Sequence, residues 1–310
     1  MIGRGGTSIV YSAVDRLRSD DSPENGEVAV KVTTVEGEDG ADLAELVHRE
    51  ARLLSDLVHP NIVRVYQSGS DQDRHYLVME LLRGRAAPKL LSASPERRLP
   101  AETALRIIGQ AAAGLAHAHA QGVAHGDVKP GNLFITADGA VKLLDFGAAR
   151  RLDEPSPAAA LERDGFGALT PLYASPEAIA GEPAVESDDV FSLACVAYVM
   201  LTGRHPWSGK NAAQARDLGL TPERPTELST PQWRVLQQGL AFEREERPSD
   251  IAAFAQKLAR PSLRDRLWAT ANVGAYAPSG EASPARQGWT SRQLAARSFQ
   301  YFRRRRSAAV

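Results

Sequence analysis

The character of this chain changes near Gly84, from mainly strand-like to mainly helical spacing of its apolar residues, and that change restricts the folds open to it. Before it, Glu27 to Thr33 (Glu-Val-Ala-Val-Lys-Val-Thr) alternates apolar with polar residues and is rich in β-branched side chains, as a half-buried strand is. Ile62 to Ser68 and Arg74 to Leu82 read as two more strands. Between them Leu43, Leu46, Val47, Leu53, Leu54 and Leu57 recur at helical spacing, and His59-Pro60-Asn61 stops that helix. After Gly84 helical spacing dominates. Pro88 to Arg98 is polar and irregular, Pro100 to Gln121 predicts a long alanine-rich helix, and Ser187 to Leu201 predicts the most apolar helix of the chain. Three amphipathic helices are expected around Asn211 to Leu218, Thr230 to Ala241 and Asp250 to Leu258. Two short strands, Leu133 to Ile135 and Val141 to Leu144, flank the turn Ala137-Asp138-Gly139. A small sheet with one inserted helix, followed by a larger helical part, is an α+β arrangement.

The chain has 310 residues, 43% of them hydrophobic, enough for a sizeable core in one large or two modest domains. Its single cysteine, Cys195, lies in an apolar run, so disulfides are excluded and a reducing compartment fits. There is no basic-then-apolar N-terminal signal. The longest apolar run, Val190 to Leu201, is too short for a bilayer and is interrupted by Ser192, so a soluble, cytoplasmic chain is expected. Net charge is −1 but unevenly placed: from Ala282 onward Arg286, Arg292, Arg297 and Arg303 to Arg306 have no acidic counterpart. Residues 261–310 are therefore expected to form a separate basic, partly disordered tail, with weak helical pattern at Leu263 to Ala271 and Ser291 to Phe302. Phe299, Tyr301 and Phe302 abut four of those arginines. Such a stretch is either a solvated end or a contact for anionic lipid or nucleic acid.

One stretch carries chemistry. His125-Gly126-Asp127-Val128-Lys129-Pro130-Gly131-Asn132 is followed by Val141-Lys142-Leu143-Leu144-Asp145-Phe146-Gly147. A base able to accept a hydroxyl proton (Asp127), a cation for a phosphate (Lys129) and two oxygen ligands for magnesium (Asn132, Asp145) are the groups phosphoryl transfer needs. Asn132 and Asp145 stand at opposite ends of the predicted hairpin, which makes them converge. Near the N-terminus, glycines at 3, 5 and 6 let backbone amides approach an anion, although such a stretch is a flexible leader as often as a phosphate loop. Lys31 sits mid-strand and Glu50 lies off the apolar stripe of its helix, free to meet a cation; both also read as solvated surface residues. His117 and His119, two apart on a helix, face different ways and suit solvent or packing roles better than metal. Asp189, in the first turn of its helix, reads as a dipole partner.

Together these motifs resemble the eukaryotic-like (Hanks-type) protein kinase family, in the form of a bacterial serine/threonine kinase. The match runs from Met1 to about Arg260, with every major signature in order. The resemblance implies a bilobal domain over residues 1–260. Its N-lobe (1–82) would be a small antiparallel sheet with one helix and a short first strand, and its C-lobe (83–260) would be larger and mainly helical. It implies that Gly3, Gly5 and Ser8 lie over ATP, with Val10 and Ala29 on one adenine face and Leu133 on the other. Met79 falls at the gatekeeper position, and Glu80 to Leu82 where the hinge backbone meets adenine. Lys31 would hold the α- and β-phosphates with Glu50 as its partner, Asp127 would be the base and Lys129 the γ-phosphate lysine. Asn132 and Asp145 would bind Mg2+, or Mn2+ in its place. Thr170 would brace Asp127 and Lys129, Glu177 would pair with Arg247, and Asp189 would order the catalytic-loop backbone. The implied activity is ATP-dependent phosphorylation of Ser and Thr in proteins, with autophosphorylation, at Ser156 or Thr170 for example.

Two departures matter. Gly126 stands where the family has an arginine beside the base, so phosphorylation is not expected to gate activity through that residue. Ser8 replaces the third glycine of the loop, where backbone amides are the donors. His-Gly-Asp with a later Asn and Asp also resembles small-molecule phosphotransferases of the aminoglycoside or choline type, but Thr170 to Glu177, Asp189 and Arg247 favour a protein acceptor. A pseudokinase scaffold is the third reading, motivated by the short first strand and Ser8; Lys31, Asp127, Asn132 and Asp145 stand against it.

Overall fold

The computed structural model describes residues 1–4, 8–15, 26–34, 49–71, 74–152 and 172–260. Its first layer is an antiparallel sheet of five strands, β1 (Gly3–Arg4), β2 (Ser8–Val14), β3 (Glu27–Thr34), β4 (Val65–Asp71) and β5 (Arg74–Glu80), in the order β1-β2-β3-β5-β4. Glu27 to Thr33 forms a strand as expected, but its burial does not alternate: the neighbours Val28 and Ala29, which face opposite sides of the sheet, are both buried, and Lys31 lies mid-strand opposite Val10 on β2 and Leu77 on β5. The first strand is short, two residues paired as Gly3 with Val10 and Arg4 with Ile9. Residues 49–56 are helical (α1), with Ala51, Leu53 and Leu54 buried.

The strand expected from Ile62 begins only at Val65. Residues 61–63 pair elsewhere, alongside β9 (Val141–Leu143). The Leu143 N–H donates to the Asn61 carbonyl (2.8 Å) and the Val63 N–H to the Leu143 carbonyl (2.9 Å). The Asn61 amide adds a third bond, to the Val141 carbonyl at 2.8 Å. Residues 61–63 of the loop after α1 are thus tied to β9, while the next residue, Arg64, returns to β5, its carbonyl accepting the Glu80 N–H at 2.9 Å.

That second sheet has the order β6-β8-β9, with β6 at Gly84–Ala86 and β8 at Leu133–Thr136. A further short pair joins β7 (Val123–Ala124) to β10 (Arg150–Arg151). Where a polar irregular stretch is expected after Gly84, the chain instead forms α2 (Ala87–Ala93). Pro88 sits in its first turn, where a missing N–H removes no helical bond, and Ala87 and Leu91 face the core. α3 (Ala101–Ala120) follows, burying Ile107, Ile108, Ala111 and Leu115 along the predicted face.

The remaining helices are α4 (Pro176–Ala180), α5 (Glu186–Thr202), α6 (Ala212–Asp217), α7 (Thr230–Gly239) and α8 (Ile251–Ala259). Their starts are fixed by side chains: Ser175, Asn211, Ser229 and Asp250 each accept a first-turn N–H. On α5, Val190 to Ala197 are buried on every side apart from a trace at Ser192, so the helix forms the axis of the C-lobe. Each buried Leu, such as Leu193, contributes about 1.5–3 kcal/mol. Packing is tight at Gly239, where a Cβ would stand 2.7 Å from the Phe254 ring and 2.8 Å from Ala194 Cβ. One continuous core joins α3, α5, α7 and α8 to the end of α1 and residues 62–63. The described residues belong to one compact unit; residues 261–310, the predicted tail, lie outside the described residues. Among the described residues no helix is long and apolar enough to cross a membrane.

Candidate active site

The loop from His125 to Asn132 hangs between β7 and β8, and its backbone is held by α5. Asp189 Oδ1 accepts the Gly126 N–H (2.9 Å) and its Oδ2 accepts the His125 N–H (2.8 Å). Gly126 sits at φ +74°, and a Cβ there would lie 2.7 Å from the Ala148 carbonyl oxygen, so only glycine fits without strain. His125 Nδ1 accepts the Asp127 N–H at 3.2 Å, which puts the ring proton on Nε2, donating to the Leu144 carbonyl at 3.1 Å. Its ring packs against Phe146 with centroids 4.4 Å apart.

Asp127 is buried, with Oδ2 2.5 Å from Lys129 Nζ. Asn132 Nδ2 donates to that same Oδ2 at 3.0 Å and to the Asp127 carbonyl at 2.8 Å. With its nitrogen committed, Asn132 has Oδ1 left to coordinate a cation. The Leu144 N–H donates to the Asn132 carbonyl at 2.9 Å, so Asp145 follows directly beside Asn132, as the hairpin spacing predicts.

Lys31 enters from β3. Its Nζ lies 3.0 and 3.1 Å from the two Glu50 oxygens and 2.9 Å from Asp145 Oδ1. Burial works against the ammonium, yet the two carboxylates outweigh it and raise the Lys31 pKa above the ordinary lysine value. For Asp145, burial favours the neutral acid, but the Lys31 charge and hydrogen bond hold the carboxyl below its usual range. Glu50 is raised, because burial and the like charge of Asp145 prevail over Lys31. Two carboxylates thus share one ammonium. Asp145 itself sits at φ +59°, in a region a non-glycine residue rarely adopts.

Of the candidate adenine positions, Val10, Ala29 and Met79 lie on neighbouring strands of the five-stranded sheet and Leu133 lies in the β6-β8-β9 sheet. Val10 pairs with Gly3 and Lys31, Ala29 pairs with Met79, and Leu133 is fully buried opposite Leu143. A Cβ on Gly3 would meet only Val10, at an ordinary 3.7 Å, so nothing among the described residues requires a glycine there. Ser8 opens β2 and Leu82 is partly buried against the core. Glu80 ends β5; its side chain accepts from Lys142 Nζ (2.5 Å) and from the Arg64 N–H (2.8 Å). Gly5, Ser156 and Thr170 lie outside the described residues.

After that, residues 172–177 are pinned to α5. Ser192 Oγ donates to the Tyr173 carbonyl and Ser175 Oγ to Asp188 Oδ1, each at 2.8 Å. Glu177 is ion-paired with Arg247, whose side chain has no exposed surface and which also reaches Asp188 at 3.3 Å. Hydrogen bonding to Arg247 overcomes burial and keeps the Glu177 carboxyl low.

Compared with known proteins, residues 1–273 match the family described as the protein kinase domain. The chain belongs to the protein kinase family. Kinases from several bacteria are similar to it. One is the serine/threonine-protein kinase drp72 of Corynebacterium efficiens, 32% identical, over 94% of this chain and 56% of the relative. PkaA of Streptomyces coelicolor is 34% identical over 88% of this chain and 52% of its own length. PknA of Mycobacterium tuberculosis is 36% identical over 68% of this chain and 48% of its own. The chain spans about half the length of these relatives.

Within this kinase fold the structure brings Lys31, Glu50 and Asp145 into one cluster and Asp127, Lys129 and Asn132 into another. Two residues have roles that sequence spacing alone does not supply. His119 Nε2 donates to Asp189 Oδ2 at 2.8 Å, so the histidine read as solvent-facing or packing is bonded to the residue that holds the backbone of His125 and Gly126. No helical periodicity marks such a contact; the signal was a histidine on the same helix face as Leu115 and Ala112, positions the core covers. Glu80 contributes its carboxylate as well as its backbone, and the acid at a strand end gave no sign of a lysine from the other lobe.

Proposed function

We propose that this kinase-family chain is an active ATP-dependent serine/threonine protein kinase, with residues 1–260 as its catalytic domain and the groups at Lys31, Glu50, Asp127, Lys129, Asn132 and Asp145 as its active site. The observation that carries the reading is that one ammonium, Lys31, is held by two carboxylates 19 and 114 residues away along the chain, one of them the Asp145 that adjoins Asn132. Lys31, centred by Glu50, binds the α- and β-phosphates. Asp127 accepts the hydroxyl proton of the acceptor, and Lys129, 2.5 Å from it, neutralises the transferring phosphoryl group. Asn132 keeps Asp127 oriented through its amide. The adenine lies between Val10 and Ala29 on one side and Leu133 on the other, with Gly3, Gly5 and Ser8 over the phosphates, Met79 behind and the backbone of Glu80 to Leu82 at its edge. Thr170 supplies a hydroxyl that braces Asp127 and Lys129.

Asn132 Oδ1 and the half-exposed Asp145 carboxylate are hard oxygen donors, and they suit Mg2+, with Mn2+ able to replace it. Bound there, the ion supplies positive charge against the phosphates. The pinned segment 172–177 and the Glu177–Arg247 pair favour a protein acceptor over a small molecule, and the complete set of polar groups favours catalysis over a scaffold role. Incubating the chain with labelled ATP, magnesium and myelin basic protein tests the reading: transfer to Ser or Thr is expected. Transfer no greater than that of Asp145→Ala would overturn it, and label on a small hydroxylated substrate instead would support the phosphotransferase alternative.

A cytoplasmic location agrees with the one buried, unpaired cysteine, Cys195. The Arg-rich tail is taken as a solvated end with weak affinity for anionic lipid or nucleic acid. Pelleting with phosphatidylserine vesicles or duplex DNA, with and without residues 298–310, measures it; no change on deletion removes that contact.

A further inference from the structure

The segment at 172–177 is held at four successive points, and the first of them is unlike the others. Tyr173, Ser175 and Glu177 are fixed by Ser192, Asp188 and Arg247, all tied to the buried α5 axis. Leu172 is fixed from beyond the end of that helix. His205 Nε2 donates to the Leu172 carbonyl at 2.7 Å. His205 Nδ1 accepts the Trp207 N–H at 3.4 Å, so both ring nitrogens are engaged and the imidazole is neutral with its proton on Nε2. Tyr173 meets the imidazole edge-on with centroids 5.5 Å apart, and Trp207 backs it at 5.6 Å. Burial lowers the pKa of His205, which keeps the donor tautomer at neutral pH. Leu172 remains 37% exposed, an apolar side chain facing solvent from a backbone that is fixed in place.

Gly126, beside the base, offers no side chain to a phosphate, while Arg150 lines the same cleft as Gly126, Ala174 and Ser175. We infer that His205, independently of phosphorylation, orders the edge that receives the protein acceptor: it is a positioning residue that acts through the Leu172 carbonyl and sets how well a substrate chain docks against Leu172. The inference rests on the reading of residues 172–177 as the acceptor-docking edge.

Steady-state kinetics on the full chain, treated with phosphatase and using myelin basic protein as acceptor, separate the two. His205→Ala is expected to raise KM for the protein about fivefold to tenfold, the effect of one lost hydrogen bond, with KM for ATP and the slow hydrolysis of ATP by water unchanged. His205→Gln, whose amide can reach the same carbonyl, is expected to recover most of the loss. Should His205→Ala melt below the assay temperature, His205→Asn, polar but one methylene too short, takes its place. Leu172→Glu tests the docking reading itself and is expected to raise the same KM. If Leu172→Glu acts and the His205 variants do not, His205 positions nothing and the inference falls while the docking reading stands. If neither acts, the docking reading fails. A rise in both KM values without recovery in His205→Gln would mark His205 as a folding residue only, and would overturn the inference too.

Discussion

Asp189, with no exposed surface on helix α5, holds the backbone of Gly126 through a 2.9 Å bond from the glycine N–H to Oδ1. A helix buried nearly all round thereby sets the conformation of the loop that carries Asp127. Gly126 must be glycine for two reasons at once, its φ of +74° and the Ala148 carbonyl that a Cβ would meet at 2.7 Å. Gly126→Ala is expected to lower stability by about 1–3 kcal/mol and to reduce kcat more than KM for ATP. Urea unfolding and steady-state kinetics on the purified variant check both. Unchanged kcat would show that the loop tolerates another backbone conformation.

Activity is expected to survive dephosphorylation, because no side chain at 126 can read a phosphate. Phosphatase treatment confirmed by mass spectrometry should leave most of the kcat. A loss of tenfold or more would contradict this.

His119 predicts a pH dependence. Burial opposes its protonation, but the hydrogen bond and charge of Asp189, with Glu186 and Asp250 nearby, raise its pKa above the ordinary 6.5. The folded state therefore binds this proton more tightly than the unfolded chain. Its contribution to stability is complete below pH 6.5 and is lost as pH rises through the raised value. Asp189 runs the other way, since Asp189 is held below 3.8 and its contribution fades as pH falls through that lower value. Denaturant midpoints from pH 5 to 9 should fall toward the alkaline end in the native chain. The slope should flatten in His119→Gln, which keeps a donor without the charge; an identical slope in both would exclude His119 as its source.

Removing the shared ammonium is expected to abolish transfer without unfolding the domain. In Lys31→Met, Glu50 is left 5% exposed with no cation and becomes protonated, so the cost to the fold is moderate. Phosphate transfer should drop at least a hundredfold, with the melting temperature lowered by only a few degrees, about what 1 kcal/mol does in a domain of this size. Calorimetry beside the transfer assay distinguishes this outcome from general unfolding.

Arg247 is the opposite case, a cation with no exposed surface that serves Glu177, Asp188 and the carbonyls of Ala241 and Phe242. Arg247→Lys keeps the charge but not the planar fork of donors and is expected to lose much of the stabilisation; Arg247→Ala should cost about 3–5 kcal/mol. Chemical denaturation measures both, and near-native stability in either would mean that water can replace the fork.

The fold class was legible because periodicity reports burial, and burial is what separates a half-covered strand such as β3 from an axis such as α5. The loop chemistry was legible because Asp127, Lys129, Asn132 and Asp145 fall within one short stretch. What sequence reading missed depends on partners distant along the chain. Val63 looks like strand but pairs with Leu143, eighty residues on. Ala87 and Leu91 give α2 only two buried positions, too few to form a pattern. His119 and His205 are isolated polar residues whose value lies entirely in one acceptor each, Asp189 and the Leu172 carbonyl.

The anchoring of residues 61–63 to β9 turns α1 into a lever. Its lower end cannot travel, because it is stitched to the second lobe, while Glu50 lies six residues up the helix, about 9 Å from the last helical residue at 1.5 Å per residue. A tilt of about 15° about that end would carry the Glu50 carboxylate by roughly 2.5 Å, enough to part it from Lys31 with no other helix moving. A small rotation at one fixed end is therefore sufficient to connect or disconnect Lys31 and Glu50, a mechanical advantage that comes from the stitch between residues 61–63 and β9.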